Sequence, residues 1–293
     1  MILLGNPFAI KNGVVHWGRH PVTQADPATF QHLGGDWGRD ARHVFVQAKP
    51  KKIDIASFQY LNPVFVKDNE YAYDWEGTIK GADAKTFEAI DPGVFVAEEI
   101  ATKAWARGFA RDCNAVYYHD QMFGRATVVR GAHPATFVSL RNDFGYDSKS
   151  VWCQKSRLPK ADPKSWVYLG RLWSIDNDRI YYAEREVAGV NRKSFTVVKA
   201  PTIGNLASDC ERFFDADRPI DEQEFWKRIS ENFAAFENWF RVAFHRIRNT
   251  CTTCDGSGDC YCKREGDSDT ASCARCNGTG KCHICKGEGR IRV

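Results

Sequence analysis

The stretch Ala161-Asp162-Pro163-Lys164-Ser165-Trp166, followed ten residues later by Asp176-Asn177-Asp178-Arg179-Ile180-Tyr181-Tyr182, contains both signals that decide the fold. In the first phrase, aspartate followed by proline predicts a capped helical turn, and Trp166 then faces a core. In the second phrase, aspartate and asparagine favour a hairpin turn, and Ile-Tyr-Tyr favours a strand. The stretch therefore predicts a short helical turn combined with antiparallel strands.

Both phrases recur along the first two thirds of the chain. Acidic turns lie at Asp40, Asp68, Asp112, Asp147 and Asp176. In four of the five cases, the turn lies 18 or 19 residues before a recurring aromatic residue that we call the anchor of the unit. Because one such unit cannot bury its own apolar face, the units must stack. We therefore expect an α+β fold whose residues 1–200 form a β-rich array of about six 29-residue units. The aromatic anchors, at spacings of 28, 29, 50, 29 and 29 residues, are Phe30, Phe58, Phe87, Phe137, Trp166 and Phe195.

Two of the acidic turns resemble the repeat of the DKNYY family. They are Lys67-Asp68-Asn69-Glu70-Tyr71 and the phrase that begins at Asp176 and ends at Tyr182. The resemblance extends over roughly residues 12–198. It implies a DKNYY-like repeat scaffold rather than an activity, and such scaffolds usually offer a broad surface for protein partners.

The long interval between Phe87 and Phe137 reflects an insertion at residues 91–108. The run from Val96 to Trp105 is rich in helix formers, which predicts a short helix. An insertion of this kind either carries a specific contact or is a degenerate unit that fills space.

Residues 201–250 are expected to be a linker followed by one long amphipathic helix. Asp221 provides an N-cap with Glu224 three residues later. An apolar seam at three- and four-residue steps predicts packing against the repeat domain, and the alternative is a dimer seam or a groove ligand for a partner. The seam comprises Trp226, Ile229, Phe233, Phe236, Phe240, Ala243 and Ile247.

Eight of the 11 cysteines lie in residues 251–293, in four close pairs. The pairs begin 9, 13 and 9 residues apart, and this nested symmetry favours one zinc ion held by the outer pairs and another held by the inner pairs. Four disulfides are the alternative interpretation. The predicted zinc ligands are Cys251, Cys254, Cys260, Cys262, Cys273, Cys276, Cys282 and Cys285.

Three of these pairs are followed by Gly-x-Gly and resemble the CxxCxGxG zinc knuckles of the DnaJ-type cysteine-rich domain, and residues 251–290 would form such a module. The second pair, Cys260-Tyr261-Cys262, departs from the pattern. The chain has no His-Pro-Asp tripeptide of a J-domain, so a co-chaperone role does not follow from the knuckles.

The sequence contains no recognisable catalytic motif. The histidines lack metalloprotease spacing, and no serine lies in Gly-x-Ser-x-Gly. Cys113 beside Asp112, with the pair His119-Asp120, is a weak candidate for a thiol site. The net charge of +4 does not indicate nucleic-acid binding, and no apolar run approaches the length of a membrane span.

We therefore expect a non-enzymatic cytoplasmic protein that binds another protein, most plausibly an immunity protein that neutralises a cognate bacterial toxin. An adaptor or chaperone-like factor that grips polypeptide with its zinc module is the first alternative. An enzyme with an unrecognised site in the repeat domain is the second.

Overall fold

The computed structural model of the chain describes residues 6–96, 104–122, 124–140, 143–198, 205–209 and 211–231. Residues up to Arg228 form one compact unit. Of the second unit, 229–293, only the helical residues 229–231 are described. Within the described residues, no helix is long and apolar enough to cross a membrane.

The described part of the chain is organised as seven small antiparallel sheets that follow one another along the sequence. In most of them four strands form a simple meander, so neighbours in the sheet are also neighbours in the chain. The first sheet contains β1 Phe8–Lys11, β2 Val14–Trp17 and β3 His20–Pro21. The second contains β4 Gln31–Gly34, β5 Trp37–Arg39, β6 Val44–Val46 and β7 Lys49–Lys51.

The third and fourth sheets depart from the simple meander. The third contains β8 Gln59–Tyr60, β9 Val66–Lys67 and β10 Ala72–Tyr73, and a bridge from Tyr73 to Thr78 takes the place of a fourth strand. The fourth contains β11 Glu88–Ala89, β12 Val94–Val96, β13 Ala104–Arg111, β14 Val116–Asp120 and β15 Thr127–Val128.

The last three sheets return to four strands each. The fifth contains β16 Val138–Ser139, β17 Phe144–Tyr146, β18 Val151–Cys153 and β19 Ser156–Arg157. The sixth contains β20 Val167–Gly170, β21 Trp173–Ile175, β22 Ile180–Tyr182 and β23 Arg185–Glu186. The seventh contains β24 Thr196–Val197, β25 Leu206–Ser208, β26 Phe213–Asp215 and β27 Arg218–Ile220.

The hydrophobic core lies between consecutive sheets. One cluster joins Trp37 and Val44 of the second sheet to Val66 and Tyr73 of the third. Other clusters join the third sheet to the fourth, the fourth to the fifth, the fifth to the sixth and the sixth to the seventh in the same way. Because every sheet shares its core with its neighbours, the array needs several units to be stable, as the sequence pattern predicted.

The six anchor aromatics each follow a single turn that precedes the first strand of a sheet. Phe87 and Phe137 are buried, whereas Phe30, Phe58, Trp166 and Phe195 are half-buried. A Cβ on Gly38 would lie 2.4 Å from Phe30 Cζ, and one on Gly145 would lie 2.2 Å from Phe137 Cζ. The second strand is therefore glycine at these positions because the anchor ring occupies the space of a side chain.

The insertion at 91–108 differs from its prediction. Residues 94–96 and 104–108 are in strands, and β12 pairs with β13 in the register Val94↔Ala106, so the predicted helix from Val96 to Trp105 is wrong at both ends. Residues 97–103 lie outside the described residues. At the two described ends, the cross-strand pairs Phe95↔Trp105 and Val96↔Ala104 outweigh local helix propensity.

The array extends beyond the predicted boundary at residue 200, because the last anchor, Phe195, precedes the first strand of a further sheet. A seventh sheet occupies residues 196–220, which includes most of the segment expected to be a linker. Asp221 then caps the helix, since its carboxylate accepts the backbone N–H of Glu224 at 2.8 Å. Helical residues 222–231 are described, and the predicted continuation to residue 250 lies outside the described residues.

The first turn of the helix, α1 (222–231), packs differently from its predicted seam. Phe225 is buried and its ring lies 4.7 Å from that of Phe213 in β26. Trp226, the first residue of the predicted seam, is 54% exposed. In this turn the contact with the sheet is made by Phe225, which widens the predicted apolar stripe, while Trp226 of the seam itself is exposed.

Candidate protein-binding surface

The acidic turns are structural. In each of six sheets, an aspartate in the turn between the second and third strands is buried, if the fourth sheet is counted along the path β11-β13-β14-β15 with β12 to one side. One carboxylate oxygen accepts the backbone N–H groups of the residues two and three positions ahead. Asp68, for example, accepts the N–H groups of Glu70 and Tyr71 at 2.9 and 2.7 Å. The other oxygen accepts the N–H of the residue that caps the preceding helical turn, at 2.7–3.1 Å in all six cases. These six aspartates are Asp40, Asp68, Asp112, Asp147, Asp176 and Asp209.

A tyrosine hydroxyl adds a further hydrogen bond in three of the six turns. Tyr73 donates to Asp68 at 2.6 Å, and Tyr117 and Tyr181 do the same to the aspartate five residues before them. The other three sheets have an aromatic side chain without a hydroxyl at this position, namely Phe45, Trp152 and Phe214. The aromatic ring is thus common to all six units, and the hydroxyl is not.

The hydrogen bonds around these carboxylates change their titration. Burial by itself would raise the pKa of Asp68, but the Tyr73 hydroxyl and three backbone N–H groups outweigh burial and hold that pKa below its ordinary value. The pKa values of Asp40, Asp176 and Asp209 are lowered in the same balance of burial against hydrogen bonding. These four carboxylates are therefore ionised at neutral pH and stabilise the turns through hydrogen bonds.

The residue just before two of the turn aspartates joins one sheet to the next. Lys67 Nζ donates to the carbonyl oxygens of Ala84 and Phe87, at 3.0 and 2.9 Å. Arg111 makes the equivalent contacts with Pro134 and Phe137 in the following unit. The basic and acidic residues of this motif are therefore used in stacking.

A buried polar group lies between the third and fourth sheets. His119 is 1% exposed, and its Nδ1 lies 3.5 Å from Asp74 Oδ2, while its ring contacts Phe65 and Trp75. Asp74 also accepts the N–H of Ala126 at 2.6 Å, across 52 residues of sequence. These contacts hold the loop after β14 against the third sheet.

A second buried polar group connects the insertion to the fifth sheet. Arg107 lies 3.2 Å from Asp120 and 3.0 Å from Asp143, and the Tyr118 hydroxyl donates to Asp143 at 2.9 Å. Asp91 accepts the N–H of Phe109 and the hydroxyl of Ser139, at 2.6 and 3.0 Å. Burial raises the pKa of Asp91 despite these hydrogen bonds.

The thiol and imidazole considered from the sequence are not brought together. Cys113 is exposed in the turn before β14, where its Sγ lies 3.5 Å from Asp83. His119 is buried near the other end of β14. Cys153 is a buried free thiol whose pKa is raised by burial, and Cys210 lies outside the described residues.

The predicted zinc ligands all lie outside the described residues. They are Cys251, Cys254, Cys260, Cys262, Cys273, Cys276, Cys282 and Cys285. Within the described ranges, no group of three or more histidine, cysteine or acidic side chains could hold a metal ion. The zinc prediction therefore depends on the cysteine spacing.

The most exposed strands, whose side chains do not hold the turns described above, lie at the outer edge of the sheets. In the first sheet, β3 takes the place of a fourth strand. All residues of β3, β15 and β23 are exposed. By contrast, all residues of the strands that precede the fourth strand in four sheets, β6, β14, β18 and β22, are buried. We call β3, β7, residues 75–80, β15, β19, β23 and β27, with the residues that flank them, the fourth-strand edge.

Lys51 on this edge was not anticipated. It pairs with Val44 at a position where the other units place a buried valine, isoleucine or leucine. Its ammonium donates to the Trp75 carbonyl oxygen at 2.5 Å in the third sheet. The basic run Lys49-Pro50-Lys51-Lys52 was a visible signal in the sequence, but its significance depends on which edge of the sheet it occupies.

The comparisons with known proteins concern the first part of this array. Residues 8–121 match the DKNYY family. No curated protein and no solved structure matches the chain.

The DKNYY match covers the first sheet through β14. It confirms the family resemblance for this segment, whereas the resemblance over residues 122–198 stays a prediction. The same turn aspartates continue in the fifth, sixth and seventh sheets, at Asp147, Asp176 and Asp209. The structural repeat therefore extends beyond the segment that matches the DKNYY family.

Proposed function

We propose that this protein is a non-enzymatic cytoplasmic binding protein whose fourth-strand edge holds another protein. The specific form of the proposal is an immunity protein that occludes a cognate bacterial toxin. The observation that carries the proposal is that polar side chains in the turns and polar side chains on the edge have different roles. The turn carboxylates are engaged in the fold, whereas the fourth-strand edge exposes side chains that the core does not constrain.

The composition of the edge supports binding through side chains rather than through an added strand. Proline occurs on this edge at Pro21, Pro50 and Pro219, each within a short strand of two or three residues. Proline lacks an N–H and lysine is charged, so both residues oppose pairing with a strand from another chain. A partner would instead meet a row of side chains from consecutive sheets.

We further propose that the eight C-terminal cysteines bind two zinc ions. Four thiolates satisfy the tetrahedral preference of zinc, and two such sets account for all eight cysteines. Elemental analysis of the purified protein should give about two zinc ions per chain. The nested arrangement assigns Cys251, Cys254, Cys282 and Cys285 to one ion, and a spectroscopic or structural result showing sequential pairing would contradict it.

The experiment for the immunity proposal uses the genes beside the one that encodes this chain. Each neighbour is expressed alone and together with this protein, and growth is measured. We expect one neighbour to inhibit growth alone, growth to be restored by co-expression, and the two proteins to purify as a stoichiometric complex.

Other outcomes of this experiment separate the alternatives. Suppression of aggregation of several unrelated polypeptides, with no neighbour bound, would favour the adaptor or chaperone-like function. Restored growth with no complex, accompanied by chemical change of the neighbour, would favour an enzyme. Either result would overturn the immunity proposal.

A further inference from the structure

One part of the fourth-strand edge carries an excess of positive charge. In the second to fifth sheets, the segments 48–52, 75–80, 121–130 and 155–160 contain nine lysines and arginines, and their one acidic residue is Glu76. Eight of the nine basic side chains are exposed, the exception being Lys51. We call these eight residues the basic edge: Lys49, Lys52, Lys80, Arg125, Arg130, Lys155, Arg157 and Lys160.

The basic edge differs from the other charged surfaces of the array. Within the described part of the chain, none of its eight side chains makes an ion pair or a side-chain hydrogen bond. Arg111 and Arg185 have acidic partners, Glu88 and Asp217, each at 2.7 Å, whereas exposed residues such as Arg42 and Lys85 are also outside the ion pairs of the described residues, so the basic edge is distinguished by its density of like charge. The excess charge is therefore local, since the whole chain has a net charge of only +4.

Three sheets bring their charges together at one point of this edge. Burial lowers the pKa of Lys51 most strongly, and the positive charges of Lys49 and Arg125 lower it further, against the opposing effect of Glu76 and Asp74. Arg125 comes within range because the neighbouring Ala126 is hydrogen-bonded to Asp74. Concentrated like charge opposes folding, so a surface that gathers it without ion pairs is suited to a partner of opposite charge.

The side chains interspersed with these charges indicate what kind of partner fits. Met122 is 70% exposed and Val128 is 45% exposed, and both lie among the cations of the fourth sheet. Apolar side chains gain by burial against a protein surface and gain little against a phosphate backbone. Trp75, the aromatic residue of these segments whose side chain is described, is half-buried with its indole N–H bonded to Pro63, so it offers no open ring for base stacking.

We propose that the basic edge is the docking surface for an acidic face of a folded partner protein. This inference rests on the proposed binding function and specifies the chemistry of the partner. Carboxylates of the partner meet the lysines and arginines of consecutive sheets, while Met122 and Val128 provide apolar contact at the centre. Attraction of this kind accelerates association and weakens with added salt.

The test compares two sets of charge reversals in the full-length protein. The first set is Lys49→Glu, Arg125→Glu and Lys155→Glu on the basic edge. The matched control is Lys85→Glu, Lys164→Glu and Lys193→Glu, three exposed lysines on the helical turns that precede the first strands. Both variants should keep the melting temperature of the wild type, because all six side chains are exposed.

Binding is measured against the neighbouring gene product, poly-L-glutamate and a short duplex DNA at two salt concentrations. We expect the basic-edge variant to bind the neighbouring protein and poly-L-glutamate at least about tenfold more weakly, with a reduced salt dependence, and the control to bind like the wild type. Tighter binding of duplex DNA than of poly-L-glutamate would overturn the proposal in favour of nucleic acid.

The remaining outcomes distinguish this inference from the proposed function. If the neighbouring protein binds the basic-edge variant as well as the wild type, the inference is wrong although the binding function stands. The basic residues would then serve only to prevent pairing between sheet edges. If no neighbouring protein binds but poly-L-glutamate does so through these residues, the immunity proposal fails and the acid-binding edge remains.

Discussion

At the scale of single residues, the turn aspartates explain why this chain repeats a motif without repeating an active site. Each carboxylate replaces backbone partners that a tight turn leaves unsatisfied, and it ties the turn to the helical turn before it. A charged acceptor makes stronger hydrogen bonds than a neutral one. The motif therefore maintains the geometry of the array.

The Asp68 turn offers a direct comparison of two substitutions. Asp68→Ala removes an acceptor of four hydrogen bonds and should lower the free energy of unfolding by about 3 kcal/mol or more. Tyr73→Phe removes one of them and should cost about 1 kcal/mol, because Phe45 occupies the equivalent position in the second sheet. Urea unfolding measures both. Equal costs would show that the carboxylate has no special role.

The anchors should differ from one another in cost. Phe87 is 1% exposed, so Phe87→Ala should cost about 3–5 kcal/mol in unfolding free energy. The sequence pattern predicts that Trp166 also faces a core, but Trp166 is half-buried, and we expect Trp166→Ala to cost roughly half as much. Thermal and urea unfolding would contradict this if Trp166→Ala proved the more damaging change.

At the scale of elements, the sequence predicted best where a local rule decides the structure. Aspartate caps and acidic hairpin turns depend on neighbouring residues, and they are found at Asp162 and Asp176 as the phrases indicated. The insertion was misjudged because helix propensity is local whereas the pairing of β12 with β13 is not. Phe225 and Trp226 are adjacent and both apolar, and only the position of Phe213 decides which of them is buried.

The edge could not be identified from the sequence for a similar reason. Lysines and arginines at 49–52, 125–130 and 155–160 are far apart in the chain, and only the sheet topology shows that each group lies in or beside the last strand of its sheet. The seventh sheet escaped detection because the array was predicted to end near residue 200, whereas Phe195, the last anchor, directly precedes the first strand of that sheet and Asp209 retains the turn motif. Features that depend on local propensity were predicted, whereas features that depend on long-range stacking were not.

The C-terminal cysteines should behave as an element that depends on metal. Structural zinc contributes on the order of 10 kcal/mol to the folding of such modules, whereas the sheets have their own core. Chelation should therefore expose the chain to proteases after about Asn249 and leave the far-ultraviolet β signal of the array unchanged. Loss of that signal on chelation would contradict the independence of the two parts.

At the scale of the whole molecule, the turn carboxylates predict how stability depends on pH. The pKa values of Asp40, Asp68, Asp176 and Asp209 in the folded protein lie below the unfolded value of about 3.9, so the contribution of these four is complete above about pH 4 and is lost as pH falls further. Asp91 and Asp143 act in the opposite direction, because burial raises their pKa values and so favours the protonated form.

Among the described aspartates, eight have a lowered pKa and two have a raised pKa, so the urea midpoint should fall steeply below about pH 4. Asp68→Asn should flatten this decline, since the neutral side chain no longer titrates. The comparison of the two midpoint curves checks the prediction. A wild-type midpoint that stays constant between about pH 5 and pH 3 would contradict it.

The central claim is that the fold uses its repeated polar residues internally and binds its partner with the fourth-strand edge. Hydrogen exchange of the protein, alone and with the neighbouring gene product that co-purifies with it, tests this claim most directly. We predict new protection along the fourth-strand edge of the second to fifth sheets, and unchanged exchange in the turns at Asp68 and Asp176. Protection confined to residues after 250 would contradict the claim and place the binding site in the cysteine-rich tail.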